Sequence, residues 1–99
     1  MLHIIEKMIE DIMDEIDGAK EYAEKYIENR ARGNVARSNK YKEMANDELR
    51  HAAYAHEFAM QDIEELKKVM EIPVEDEEKW ERAHKKYSEC TAWIKRMLD

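Results

Sequence analysis

The chain has 99 residues, of which 17 are Lys or Arg and 24 are Asp or Glu, for a net charge of −7. That length bounds it to one domain over 1–99, near the lower limit for a self-sufficient core, and the acidic balance argues against nucleic acid and anionic membrane surfaces as partners. Two glycines, one proline and 41% charged residues describe an all-α protein with no transmembrane segment.

A first helix is expected over 3–32. Ile5, Met8, Ile9, Ile12, Ile16, Ala19, Tyr22, Ala23, Tyr26 and Ile27 recur at three- and four-residue spacing, which is one core-facing stripe. Gly18 interrupts it at a cost of about 1 kcal/mol relative to Ala and marks a close approach from another helix. Glu15 lies on the same line, between Ile12 and Ala19. Gly33-Asn34 is the stop, Gly as the C-terminal cap and Asn34 as the cap of the next helix. So short a connection makes an antiparallel hairpin.

A second helix is expected over 35–70, with a stripe of Tyr41, Met44, Ala45, Glu48, His51, Ala52, Ala55, Phe58 and Ala59, continued by Ile63, Leu66, Val69 and Met70. Pro73 ends it. The third helix, over 75–98, opens on Glu75-Asp76-Glu77-Glu78, a run suited to the positive end of a helix dipole and otherwise solvated. It presents Trp80, Ala83, Tyr87, Cys90, Thr91, Ile94, Met97 and Leu98 to the core. Trp80 and Trp93 read as packing anchors, His84 as a half-buried packing residue, and His3 and His56 as solvated. Cys90, alone, forms no intramolecular disulfide and suits a reducing compartment. The N-terminus enters an amphipathic pattern directly, so no secretory leader is expected, and a cytoplasmic location is the corresponding expectation.

The chemistry concentrates on Glu48 and His51, three residues apart and therefore on one helix face. A carboxylate on an apolar face needs a proton, a partner or a cation. Glu15 lies 18 residues before Gly33, whereas Glu48 and His51 lie 14 and 17 residues after Asn34. At about 1.5 Å per residue the three meet at one height of the hairpin. Oxygen and imidazole donors without thiolate suit Fe(II), Mn(II) or Zn(II). A buried Glu–His ion pair in a plain bundle is the competing reading.

Glu15-Ile16-Asp17-Gly18-Ala19-Lys20-Glu21-Tyr22 and Asp47-Glu48-Leu49-Arg50-His51-Ala52 resemble the ferritin-like superfamily of di-iron carboxylate proteins, rubrerythrins and encapsulated ferritins among them. The resemblance covers the first two helices. It implies Glu15, Glu48 and His51 as metal ligands, Tyr22 as a catalytic tyrosine beside them, and ferroxidase chemistry, in which Fe(II) is oxidised by O2 or peroxide. A full two-iron centre takes two Glu and two Glu-x-x-His; the chain is expected to supply one of each, the third helix offering no Glu-x-x-His, with His84 at the border of its stripe and Glu81 and Glu89 pointing outward. Two copies are therefore expected to dimerise about a two-fold axis into one four-helix bundle, as a dimer or a ring of dimers, with the di-iron centre at the subunit interface. No targeting peptide for an encapsulin shell is seen at the C-terminus. The alternative from another class is a non-catalytic helical assembly or metal-binding protein with a vestigial or Zn-occupied site.

Overall fold

The computed structural model describes residues 3–99. Three helices account for nearly all of them: α1 (His3–Ala31), α2 (Val35–Val69) and α3 (Val74–Met97). The molecule measures 54 × 19 × 17 Å. Its long axis is set by the 35 residues of α2, which at about 1.5 Å each span some 52 Å. No helix is long and apolar enough, among the described residues, to cross a membrane.

Each helix carries an apolar line that advances by alternating steps of four and three. On α1 it runs through the buried Ile12, Ile16, Ala19, Ala23 and Tyr26, and on α2 through the buried Ala45, Leu49, Ala52, Ala59 and Ile63; on α3 it runs through Ala83, the partly buried Tyr87 and Cys90, and Ile94, with Leu98 buried just past the helix end. This 3.5-residue period keeps one seam facing its neighbours over many turns, at shallow crossing angles. Alanine dominates the α1–α2 seam, with Ala19, Ala23, Ala45, Ala52 and Ala59 almost without exposure, so the two backbones lie close together. Leu49 belongs to this buried line, whereas Met44 and Phe58, expected within the stripe, are exposed. The core line of α2 is rotated from the expected one, which moves Glu48 and His51 from the centre of a buried face to its edge.

The turn between α1 and α2 is a Schellman motif. Gly33 sits at φ +80°, its N–H donates to Arg30 O at 3.0 Å, and the Asn34 N–H donates to Asn29 O at 2.9 Å. Only glycine takes that φ without strain. The Asn34 side chain makes no cap, in contrast to expectation: at φ −81°, ψ 70° its backbone lies outside the β region from which an N-cap side chain reaches the first turn.

Proline ends α2 as expected. Met70 is extended, Pro73 takes φ −55°, ψ 142°, and the Asp76 and Glu77 N–H groups donate back to Pro73 O at 3.0 and 3.1 Å. Asp76 itself is fully buried beside Ile5, Ile63, Ile72 and Trp80, and does not share the solvated character expected of the acidic run. The first turn of a helix is the place where a buried carboxylate is least unfavourable. From there α3 runs parallel to α1: Lys20 lies over the Trp93 ring at 5.4 Å, and Arg30 reaches the Asp99 carbonyl. It packs along α1 and meets α2 chiefly through long side chains.

Ile94 is fully buried where α3 closes on the hairpin. Ile94→Ala should cost about 2–5 kcal/mol, read as a fall in the midpoint of chemical denaturation.

Candidate metal centre

Glu15, Glu48 and His51 converge. One ligand atom from each lies within 4.8 Å of the other two. His51 Nδ1 is 3.6 Å from Glu15 Oε2 and 4.0 Å from Glu48 Oε1. Helical spacing joins Glu48 to His51, and the Gly33 turn sets the register that brings Glu15 opposite both.

The three side chains are not interred. They keep 34%, 27% and 51% of their exposure for Glu15, Glu48 and His51 in turn. They lie on the side of the hairpin away from α3. α1 turns Ile9 and Met13 toward Ala83 and Arg82, and α2 turns His56 toward His84 and Tyr87. At about 100° per residue, Glu15 falls roughly 120–160° from Ile9 and Met13 and His51 roughly 140° from His56, while Glu48, roughly 80° from His56, stands at the flank beside the α1–α2 seam. Tyr54 and Phe58, stacked on each other with ring centres 6.5 Å apart, are both more than half exposed on the same edge of α2. The site thus sits on an open face with an apolar margin.

Two carboxylates this close repel when both are ionised. The Glu48 carboxyl is held above its ordinary range, first by the hydrogen bond it shares with Glu15, then by burial and by the Glu15 charge, with His51 pulling the other way. Glu48 donates that bond only when it carries the proton. A cation reached by both carboxylates and the imidazole removes the repulsion, and two oxygens with one imidazole nitrogen are a donor set for Fe(II), Mn(II) or Zn(II). The donors therefore fit a divalent ion.

Gly18 completes the cradle. A Cβ there would stand 3.2 Å from Glu48 Oε2, so the close approach inferred from this glycine is made by the Glu48 side chain. One turn further, Tyr22 stacks on Tyr41 across the hairpin, ring centres 6.2 Å apart, and Lys25 lies over Tyr41 at 5.7 Å. Tyr22 is engaged with α2 on the same open edge.

Two expectations are corrected: the third helix does carry a Glu-x-x-His, and one histidine expected in solvent is not there. Glu81-Arg82-Ala83-His84 is a second Glu-x-x-His, on α3, but it does not join the Glu15 group and so does not complete it. His56, expected in solvent, is half-buried among Trp80, His84 and Tyr87. The signal is in the spacing: His56 continues the line Ala45, Leu49, Ala52, four residues after Ala52 and three before Ala59.

An acid whose folded pKa is raised binds its proton more tightly in the native state. Stability is then lost as pH rises from the unfolded value toward the folded one. Glu48→Gln should accordingly raise the melting temperature of the metal-free protein at pH 7, with the gain vanishing near pH 4, in thermal scans across that range. Gly18→Ala should add up to about 1 kcal/mol of helix stability to the metal-free chain, because the tip of Glu48 can yield by a few tenths of an ångström, yet weaken divalent-ion binding by displacing that same carboxylate. Calorimetry on the apo and Zn(II)-titrated variant measures both.

Comparison with protein-family models, curated protein sequences and solved structures finds no match to this chain.

Proposed function

We propose that this chain is a ferritin-like iron protein, a ferroxidase whose two-metal centre is shared between two copies. The observation that carries the reading is the convergence of Glu15, Glu48 and His51 within 4.8 Å on a face that α3 leaves open. Three donors are half of what a two-iron carboxylate site takes. A second copy, packing its own open face against the first about a two-fold axis, brings the other three. The same packing covers Tyr54, Phe58 and Met44, which a lone chain leaves in water. Burial of such side chains contributes about 1.5–3 kcal/mol each.

Within this reading Glu15, Glu48 and His51 would hold the ions, two through carboxylate oxygen and one through imidazole nitrogen. Glu48, whose carboxyl is held above its ordinary range by its hydrogen bond to Glu15, would give up its proton to solvent as a cation takes the proton's place between the two carboxylates. Tyr22 stands at the edge of the site, a hydrogen-bond or electron donor held by its stack on Tyr41. The net charge of −7 raises the local concentration of Fe(II). Iron, when bound as substrate, would supply the redox chemistry, two Fe(II) and two protons reducing O2 to hydrogen peroxide with release of two Fe(III).

Anaerobic loading with Fe(II) followed by air should give oxidation of two irons per dimer, seen as rising Fe(III) absorbance, on a species of dimeric mass or a multiple of it. Glu48→Gln and His51→Ala should each lower the rate at least tenfold. Tight Zn(II) binding with no iron oxidation would instead establish a non-catalytic metal-binding protein, and a monomer under all metal conditions would overturn the shared site.

A further inference from the structure

The cluster between α2 and α3 is independent of the Glu15, Glu48 and His51 centre. His56 Nε2 and His84 Nδ1 face each other at 2.7 Å. Their ring centres are 4.9 Å apart and their planes differ by 23°. With each nitrogen about 1.1 Å from its ring centre, the two nitrogens lie almost on the line joining the centres, so the rings meet edge to edge. The His56 ring is held from the sides. Tyr87 stacks on it at 4.2 Å, nearly parallel at 8°, and Trp80 at 5.7 Å. The contact is a hydrogen bond from one imidazole N–H to the other ring's nitrogen, the donor set by the tautomer.

We propose that His56 and His84, with Glu81, form a second site, for a borderline divalent transition ion such as Zn(II), that clips α3 to α2. Two imidazole nitrogens bound at about 2.0–2.1 Å and separated by roughly 90–110° at the ion lie about 2.9–3.4 Å from each other. Their ring centres then lie roughly 4.5–5.2 Å apart, by the same bond lengths. The observed 4.9 Å falls in that interval. With the centres held at 4.9 Å, each ring has to turn by roughly 40° so that the two lone pairs, which now point at each other, converge on one ion, and the nitrogens open by about half an ångström; a turn in the plane of the ring keeps the stack of His56 on Tyr87. Glu81 is three residues before His84, on the same face of α3, and exposed. It lines with His84 a groove of about 240 Å³ that also borders Met60, Ile63, Glu64, Lys67 and Trp80. As placed, Glu81 does not meet the two imidazoles; the proposal requires its side chain to rotate within this groove to supply a carboxylate, with water filling the remaining positions. Imidazole with carboxylate, and no thiolate, is the donor set of Zn(II), Ni(II) or Co(II) rather than of Ca(II) or Mg(II).

The test is Zn(II) titration of the full chain by calorimetry, with the imidazole resonances of all four histidines followed by NMR in parallel. E15Q/E48Q/H51N, which disables the first centre, should still bind one Zn(II) per chain. Adding H56N or H84N should weaken that ion at least tenfold, and E81Q about threefold. In the unsubstituted protein, Zn(II) should shift the ring signals of both His56 and His84. This readout needs no variant to fold, so an unseated α3 in H56N or H84N leaves the outcome decidable. Retention of the ion at full affinity in both H56N and H84N, or His56 and His84 signals unmoved at saturating Zn(II), overturns the proposal. Unchanged affinity in E81Q overturns the part given to Glu81. Loss of iron oxidation through H51A while this ion is retained separates the two centres.

Discussion

The repulsion between Glu15 and Glu48 is what the hairpin is built to hold. Two carboxylates do not drift to hydrogen-bonding distance by choice. They are brought there by a seam of alanines, Ala19, Ala23, Ala45, Ala52 and Ala59, which lets α1 and α2 close along most of their length, and by a left-handed glycine that fixes which turn faces which. Apolar packing over many turns is worth far more than one strained pair costs, so the pair is imposed on the structure. The strain is local, it is relieved by a cation or a proton, and Gly18 leaves the space in which Glu48 can meet either.

Much of this is legible from residues alone. Antiparallel register comes from Gly33 and a rise per residue, and that arithmetic is sufficient to bring Glu15 level with Glu48 and His51. The helix ends lie within a residue of those read from Gly33 and Pro73. What a stripe cannot show is its own centre line. Apolar residues cover a broad arc of α2, and choosing Met44 and Phe58 over Leu49 turns the helix by tens of degrees. The error is small in angle and large in meaning, since it separates a buried ligand from one on an open face. His56 is missed for the same reason. Polar residues on a core line look like surface residues until the line is placed correctly, and its place is fixed by the neighbouring helices. Asp76 is the third case: its burial is set by where α3 lands on Ile5 and Ile63, a contact that sequence separation hides.

The three helices divide their surfaces unequally, and the division is a matter of size. Helices α1 and α2 meet through small residues and leave a shallow groove on either side. On one side α3 fills it with Ile94, Leu98 and Ala83, and with the rings of Trp80 and Tyr87 reaching across to His56. Large rings are needed there because α3 tracks α1 and stands off from α2. On the other side, among the described residues, no helix lies over the hairpin, and the exposed Met44 and Phe58 share that side with the Glu15, Glu48 and His51 group.

That asymmetry bears on why the ionisable groups sit where they do. A carboxylate pair beneath α3 would have to be neutralised before the core could form, and folding would then depend on metal. Placed on the open side, the pair is still reached by water, so the three-helix unit can close first with Glu48 protonated or partly solvated. An ion then replaces the proton as the open face is covered. In the proposed shared centre, folding, metal binding and association would then follow in that order, each step removing the cost left by the one before. The histidine pair lies on the closed side, where one ring N–H donates to the other nitrogen across 2.7 Å, so it packs under α3 with a partner already in place. Asp76, buried at the first turn of α3, stands where the helix dipole favours its charge. The polar groups at these two places are thus satisfied within the chain, whereas those on the open face are left to water, a proton or a cation, and the position of α3 draws the line between them.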